Sequence, residues 1–167
     1  DQFASAGRVD VLVTANTDPH SGQPALKMSS VVLVPLAPEW FGFAVCRTAP
    51  HLDGVDYWAL AEGPAGYRIE LAGMHSPADW PAFIAERFFD GAAPDVTHLR
   101  DARSGRESFA VFDGADLVFA MFVSPEPVPA ARQWAVSQLA GTHDPGTRAN
   151  LLAGRPGADM PIGRAHV

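Results

Sequence analysis

The chain has 167 residues, 47% of them hydrophobic, with 12 Lys and Arg against 19 Asp and Glu for a formal charge of −7. That length and apolar content suffice for one domain, or one domain plus a further piece, and exclude a disordered chain. The negative balance and scattered basic residues exclude the footprint of a nucleic-acid binder, and apolar runs such as Phe109 to Phe112 and Leu117 to Val123 fall far short of the ~20 residues that cross a bilayer.

Strand-like runs open the chain at Val9 to Thr14 and Val31 to Val34. Between them "ANTDPHSGQPALKMSS" reads as a rigid loop, because Asp18-Pro19 and Ser21-Gly22 supply turn chemistry. Pro35 and Pro38 in "PLAPEW" punctuate the chain and set a boundary near residue 37. Three short β-type runs follow, "WFGFAVC", "YWALAEG" and "YRIELAG", the first with the alternation of a half-buried strand. Gly63-Pro64-Ala65-Gly66 is a hairpin turn between the last two.

"DWPAFIAERFFDG" predicts a helix: Asp79 caps it, Pro81 is tolerated in the first turn, Trp80, Phe83, Ile84 and Phe88 share a face, and Gly91 stops it. "VTHLRDA" and "ESFAVF" then lead through Asp113-Gly114-Ala115-Asp116 into "LVFAMFV". The last two runs are apolar on both parities, so that hairpin is expected to be covered on both faces and to centre the core. "SPEPVPAARQWAVSQLAG" predicts a helix entered through Pro129, with Ala131, Trp134, Ala135 and Leu139 buried and Gly141 as its stop. "DPGTRANLLAG" is a shorter helix from Asp144 and Pro145 to Gly154, and "RPGADMPIGRAHV" reads as a linker. The order implies an α+β class, a mostly antiparallel sheet with two or three helices packed on one side.

Chemistry-bearing motifs are few. The histidines His20, His51, His75, His98, His143 and His166 are far apart in sequence, several of them beside Pro or Asp, so they read as surface-loop residues and no metal site is assigned. Cys46 cannot form an internal disulfide and reads as a buried structural thiol. Neither a nucleophile elbow nor a glycine-rich phosphate loop is present, and no catalytic residue is assigned. Arg100, Arg103, Arg106 and Glu107 in "RDARSGRE" have the types to grip an anion, but a solvated turn is the simpler account. Trp40, Trp58, Trp80 and Trp134 fall on apolar-patterned elements and are expected in the core.

At "DQFASAGRVDVLVTANTDPHSGQPALK", with the fixed pattern "TDPHSGQPALK" over residues 17 to 27, the chain resembles the end of the molybdopterin-dinucleotide-binding domain of the molybdenum oxidoreductases. It is most similar to the assimilatory nitrate reductase catalytic subunits, and "WFGFAVCR", "FAVFDGADLVFAMFVSPEPVPAAR" and "LLAGRPGADMP" resemble the region that follows the pterin domain in them. The resemblance implies terminal strands of a double-psi β-barrel at residues 1–36, an α+β accessory domain at 37–141, and a short helix and linker at 142–167. It also implies a bis-molybdopterin guanine dinucleotide cofactor in the parent enzyme, contacted here by Lys27, whose ammonium offers several donors to phosphate or pterin oxygens. Asp10 stands where related enzymes have a second contact, an asparagine; an ionised aspartate only accepts hydrogen bonds.

The implied partners are the upstream catalytic domains of the same polypeptide and an iron–sulfur or flavin electron-donor module, in the cytoplasm, with neither nucleic acid nor membrane. On this reading the chain is a fragment, inactive alone. The rival expectation is a free-standing, non-catalytic α+β binding or interaction domain.

Overall fold

The computed structural model describes residues 9–17, 24–32 and 37–154, with side chains described from residue 37 onward. Two compact units divide the chain, residues 1–37 and 38–167. In the first, β1 (Val9–Thr17) pairs antiparallel with β2 (Pro24–Val32), Val9 opposite Val32 and Thr17 opposite Pro24. Part of the expected loop is therefore strand, and the turn signals Asp18-Pro19 and Ser21-Gly22 lie outside the described residues. The nine uninterrupted backbone pairs take in Ala15 to Thr17 and Pro24 to Ser30 of that segment.

The second unit is built on β3 (Trp40–Cys46), whose aromatic and β-branched residues favour an extended backbone. β3 joins β5 (Gly66–Gly73) on one side and β8 (Asp116–Ser124) on the other. Outside β5 lies β4 (Tyr57–Gly63), joined to it by the two-residue turn Pro64-Ala65. Outside β8 lie β7 (Arg106–Asp113) and then β6 (Val96–Asp101). The result is a six-stranded, wholly antiparallel sheet in the order β4-β5-β3-β8-β7-β6.

Three helices accompany the sheet among the described residues. α1 (Trp80–Phe88) is capped by Asp79, whose Oδ1 accepts the Ala82 N–H at 3.0 Å, and Pro81 occupies its first turn. α3 (Pro145–Leu152) is capped by Asp144, which accepts the Gly146 and Thr147 N–H groups. α2 spans Arg132–Gln138, so its expected entry at Pro129 is corrected. Pro125, Pro127 and Pro129 each lack a backbone donor and disfavour the helical region for the residue before them, which delays the helix to the first proline-free stretch.

The expectation that the helices share one side of the sheet is also corrected. α1 supplies Ile84 and Phe88 to a core with Ala44, Ile69, Phe109 and Phe119. α2 and α3 supply Ala135, Leu139, Leu151 and Leu152 to a second core with Phe43, Val45, Ala120 and Phe122. The reason lies in the central strands: in β3 every residue but Phe41 is buried, and in β8 all from Phe119 to Ser124 are, so both faces of the sheet must be covered. β3 is therefore not the half-buried strand its alternation suggested, whereas the β7–β8 hairpin lies in the core as expected.

Candidate functional site

The two residues that the resemblance singles out fall on the ribbon. Asp10 stands opposite Val31, and Lys27 stands opposite Thr14. Their side chains lie outside the described residues, but the backbone register fixes their relation. Asp10, Leu12, Thr14 and Asn16 share one face of the ladder with Val31, Ser29, Lys27 and Ala25. The other face carries Val9, Val11, Val13, Ala15 and Thr17 with Val32, Ser30, Met28, Leu26 and Pro24. One face thus holds hydrogen-bonding residue types at most positions, and the other is apolar except at Thr17 and Ser30. Asp10 and Lys27 share the polar face, four register positions apart, or about 13 Å along the strands at the usual rise. That residue set fits a ligand rich in phosphate, amino and carbonyl groups.

In the second unit the arginines of the β6–β7 hairpin do not converge on one anion. Arg100 pairs with Glu107 and Arg106 with Asp101 in the ladder, which puts the two arginines on opposite faces. Asp101 closes the turn instead: Ser104 Oγ donates to its Oδ2 at 2.6 Å and the Arg103 N–H to its Oδ1 at 3.0 Å. The Ser104 hydroxyl, with the Arg103 amide, holds the Asp101 carboxyl below the usual carboxylate range. On the α1 face of the hairpin, His98 Nε2 lies 2.8 Å from Glu107 Oε2 and its ring stacks on Phe109.

His143 corrects the view of the histidines as surface residues. It is buried, its Nε2 donates to the Gln138 carbonyl at 2.9 Å, and its N–H donates to the Ala115 carbonyl, tying the start of α3 to the β7–β8 turn. Among the described residues no three His, Cys, Asp or Glu side chains converge to hold a metal ion. No helix among them is long and apolar enough to cross a membrane.

Cys46 is buried in β3, and burial pushes its thiol up to about 12. The folded value lies above the ordinary one of 9.0, so the contribution to stability is complete below about pH 9 and is lost as pH climbs toward 12. A thiol-alkylating reagent at pH 8 is expected to leave Cys46 unmodified until denaturant is added. Equal labelling rates in native buffer and in denaturant would contradict the burial.

Two surface features escaped the sequence pattern. An open cleft of about 410 Å³ lies between the β6–β7 hairpin and the end of α3, lined among others by Arg106, Phe122, Ser124, Val128 and Leu152. The second is β4, exposed along its whole length, where Trp58 is 53% accessible rather than in the core. Trp40 is buried as expected, and Trp80 and Trp134 pack partly buried against the two cores. The apolar run of β4 resembles that of β3, and only the strand order, which sends β4 to the edge, separates the two fates.

No protein-family model matches the chain, and no solved structure matches it. Among curated proteins it is similar to a nitrate reductase of Klebsiella oxytoca, 36% identical over 80 residues. That match covers 48% of this chain and 9% of the relative's length. Nearly half of the chain is therefore a nitrate reductase-related region.

Proposed function

We propose that the chain is the C-terminal portion of a molybdenum-dependent nitrate reductase, whose complete form reduces nitrate to nitrite. The observation that carries this reading is the 36% identity over 80 residues to a nitrate reductase. The "TDPHSGQPALK" pattern and the polar face of the β1–β2 ribbon support it. A two-stranded ribbon is marginally stable by itself, and in the parent enzyme upstream strands of a double-psi β-barrel complete it. The bis-molybdopterin guanine dinucleotide supplies the redox chemistry when bound. Lys27 would donate to its phosphate or pterin oxygens, and Asp10 would accept from its amino groups. The α+β unit from residue 38 onward serves as an accessory domain that buttresses the barrel or positions an iron–sulfur or flavin module. The enzyme works in the cytoplasm.

The test compares the isolated chain with the complete polypeptide, using a reduced viologen dye as electron donor. The isolated chain is expected to reduce no nitrate, and turnover by it would overturn the reading. In the complete enzyme Lys27→Ala removes a charge-assisted contact of about 1.5–3 kcal/mol, hence roughly tenfold to hundredfold in cofactor affinity. The pterin released on denaturation should fall accordingly, with Lys27→Arg retaining more of it. Full pterin content in Lys27→Ala would remove Lys27 from the cofactor site.

A further inference from the structure

The β4 edge of the sheet has a backbone register that restricts what it can pair with. The Arg47 N–H donates to the Val118 carbonyl at 3.0 Å, so odd-numbered positions of β3 turn their backbone groups toward β8 and even-numbered ones toward β5. Ala44 stands opposite Ile69, and Ile69 opposite Leu60, so β5 turns its odd positions to β3 and its even positions to β4. Tyr57, Ala59 and Ala61, opposite Ala72, Glu70 and Arg68, direct their backbone groups to β5. Trp58, Leu60 and Glu62 therefore turn their N–H and C=O groups outward.

Tyr57–Gly63 holds none of the devices that protect an edge: no lysine, no proline, and no bulge in its ladder with β5. It exposes Tyr57, Trp58 and Leu60, and its one charge is Glu62. The opposite edge, β6, carries His98, Arg100 and Asp101.

We propose that β4 pairs antiparallel with β4 of a second copy of this chain, about a two-fold axis through Leu60, joining the two sheets into one. A second copy fits because the strand is self-complementary in one register. Setting Leu60 opposite Leu60 puts Trp58 opposite Glu62 on both sides of the axis, and all these positions have outward backbone groups. Moving one residue pair in one direction, so that Trp58 meets Leu60, brings Asp56 against Glu62 and opposes like charges. Moving in the other direction, so that Leu60 meets Glu62, brings Pro64, which has no N–H, against Trp58 within the strand, whereas the Leu60 register sets it against Asp56, outside β4. Trp58 and Leu60 stand opposite Leu71 and Ile69, on the sheet face that α1 covers further in. Pairing sets both copies' Trp58 and Leu60 in one apolar stripe across the joint.

The experiment uses the 167-residue chain itself. Light scattering after gel filtration is expected to give twice the 17.7 kDa chain mass, with a monomer appearing on dilution. Leu60→Pro removes an outward N–H that β5 does not use, and is expected to be monomeric with unchanged circular dichroism. Leu60→Cys sits on the axis, at the ~5.5 Å Cα spacing of a hydrogen-bonded pair, and should cross-link on mild oxidation. Glu62→Cys, far from its own symmetry mate, should not, and buried Cys46 stays out of the reaction. A monomeric wild type, a dimer that survives Leu60→Pro in folded form, or equal cross-linking of the two cysteine variants overturns the proposal. None of these outcomes bears on the nitrate reductase reading, because the upstream polypeptide is absent throughout.

Discussion

Phe119→Ala is expected to destabilise the second unit by about 3–5 kcal/mol, the usual cost of removing a fully buried phenylalanine ring. Phe119 has no accessible surface, and its ring lies 4.7 Å from Phe88 and 5.7 Å from Phe89, centroid to centroid, at the end of α1. Cavity formation and the loss of two aromatic contacts therefore fall on the same junction between β8 and α1. Domains of this size are stable by only about 5–15 kcal/mol, so the loss takes a large share of the total. Urea unfolding with an unchanged slope measures it, and amide exchange should show α1 opening before α2 and α3. Leu99→Ala, at a side chain 47% accessible, is expected to change stability by no more than about 0.5 kcal/mol. Equal effects of the two substitutions would mean that Phe119 does not hold α1 to the sheet.

That contrast shows which parts of the fold were legible. α1 was readable at its start, because Asp79 and Pro81 act within a few residues of where they stand; its C-cap is Phe89, two residues before the Gly91 expected to stop it. The β7–β8 hairpin was readable for the same reason, through its turn Asp113-Gly114-Ala115-Asp116 and its doubly apolar strands. What failed required knowledge of order in space. Trp40 and Trp58 sit in similar apolar runs, yet one strand is central and the other forms an edge, and no local pattern encodes that order. His143 is flanked by Thr142 and Asp144, the company of a surface residue, and is buried because the β7–β8 turn folds against it. The proline run before α2 contained its own warning, since three prolines in five residues leave little backbone for a helix.

The candidate cofactor residues were legible in a different way. Lys27 is the one lysine of the chain, but composition, period and spacing gave it no role; the resemblance alone singled it out. The register then added an independent observation, that Lys27 and Asp10 share the polar face of an amphipathic ribbon. An aspartate at position 10 also narrows what that face can hold. A carboxylate repels phosphate, so on the proposed reading Asp10 would lie near the amino-bearing part of the cofactor and Lys27 near its anionic part. The second unit offers no comparable convergence of functional side chains among its described residues.

Gly66→Ala is expected to cost about 3 kcal/mol or more, from two causes that add. Gly66 has φ of +137°, a conformation that side-chain-bearing residues rarely adopt, worth roughly 1–3 kcal/mol of strain. A Cβ there would also overlap the Cys46 carbonyl oxygen and lie 3.1 Å from the Arg47 Cα, both backbone atoms of the central strand that cannot swing aside. Forced overpacking of this kind costs about 1–3 kcal/mol. Gly114→Ala separates the two causes: its φ is +59° and a Cβ would meet nothing within 4 Å, so only the backbone term applies, about 1 kcal/mol. Denaturant unfolding of both variants gives the difference, and a Gly66→Ala penalty no larger than that of Gly114→Ala would rule out the close approach to β3. Because Gly66 begins β5 just after the turn that returns the chain from β4, the same substitution should loosen β4 first. Amide exchange at Ala59 and Ala61, whose N–H groups bond to β5, should therefore accelerate well before exchange in β8.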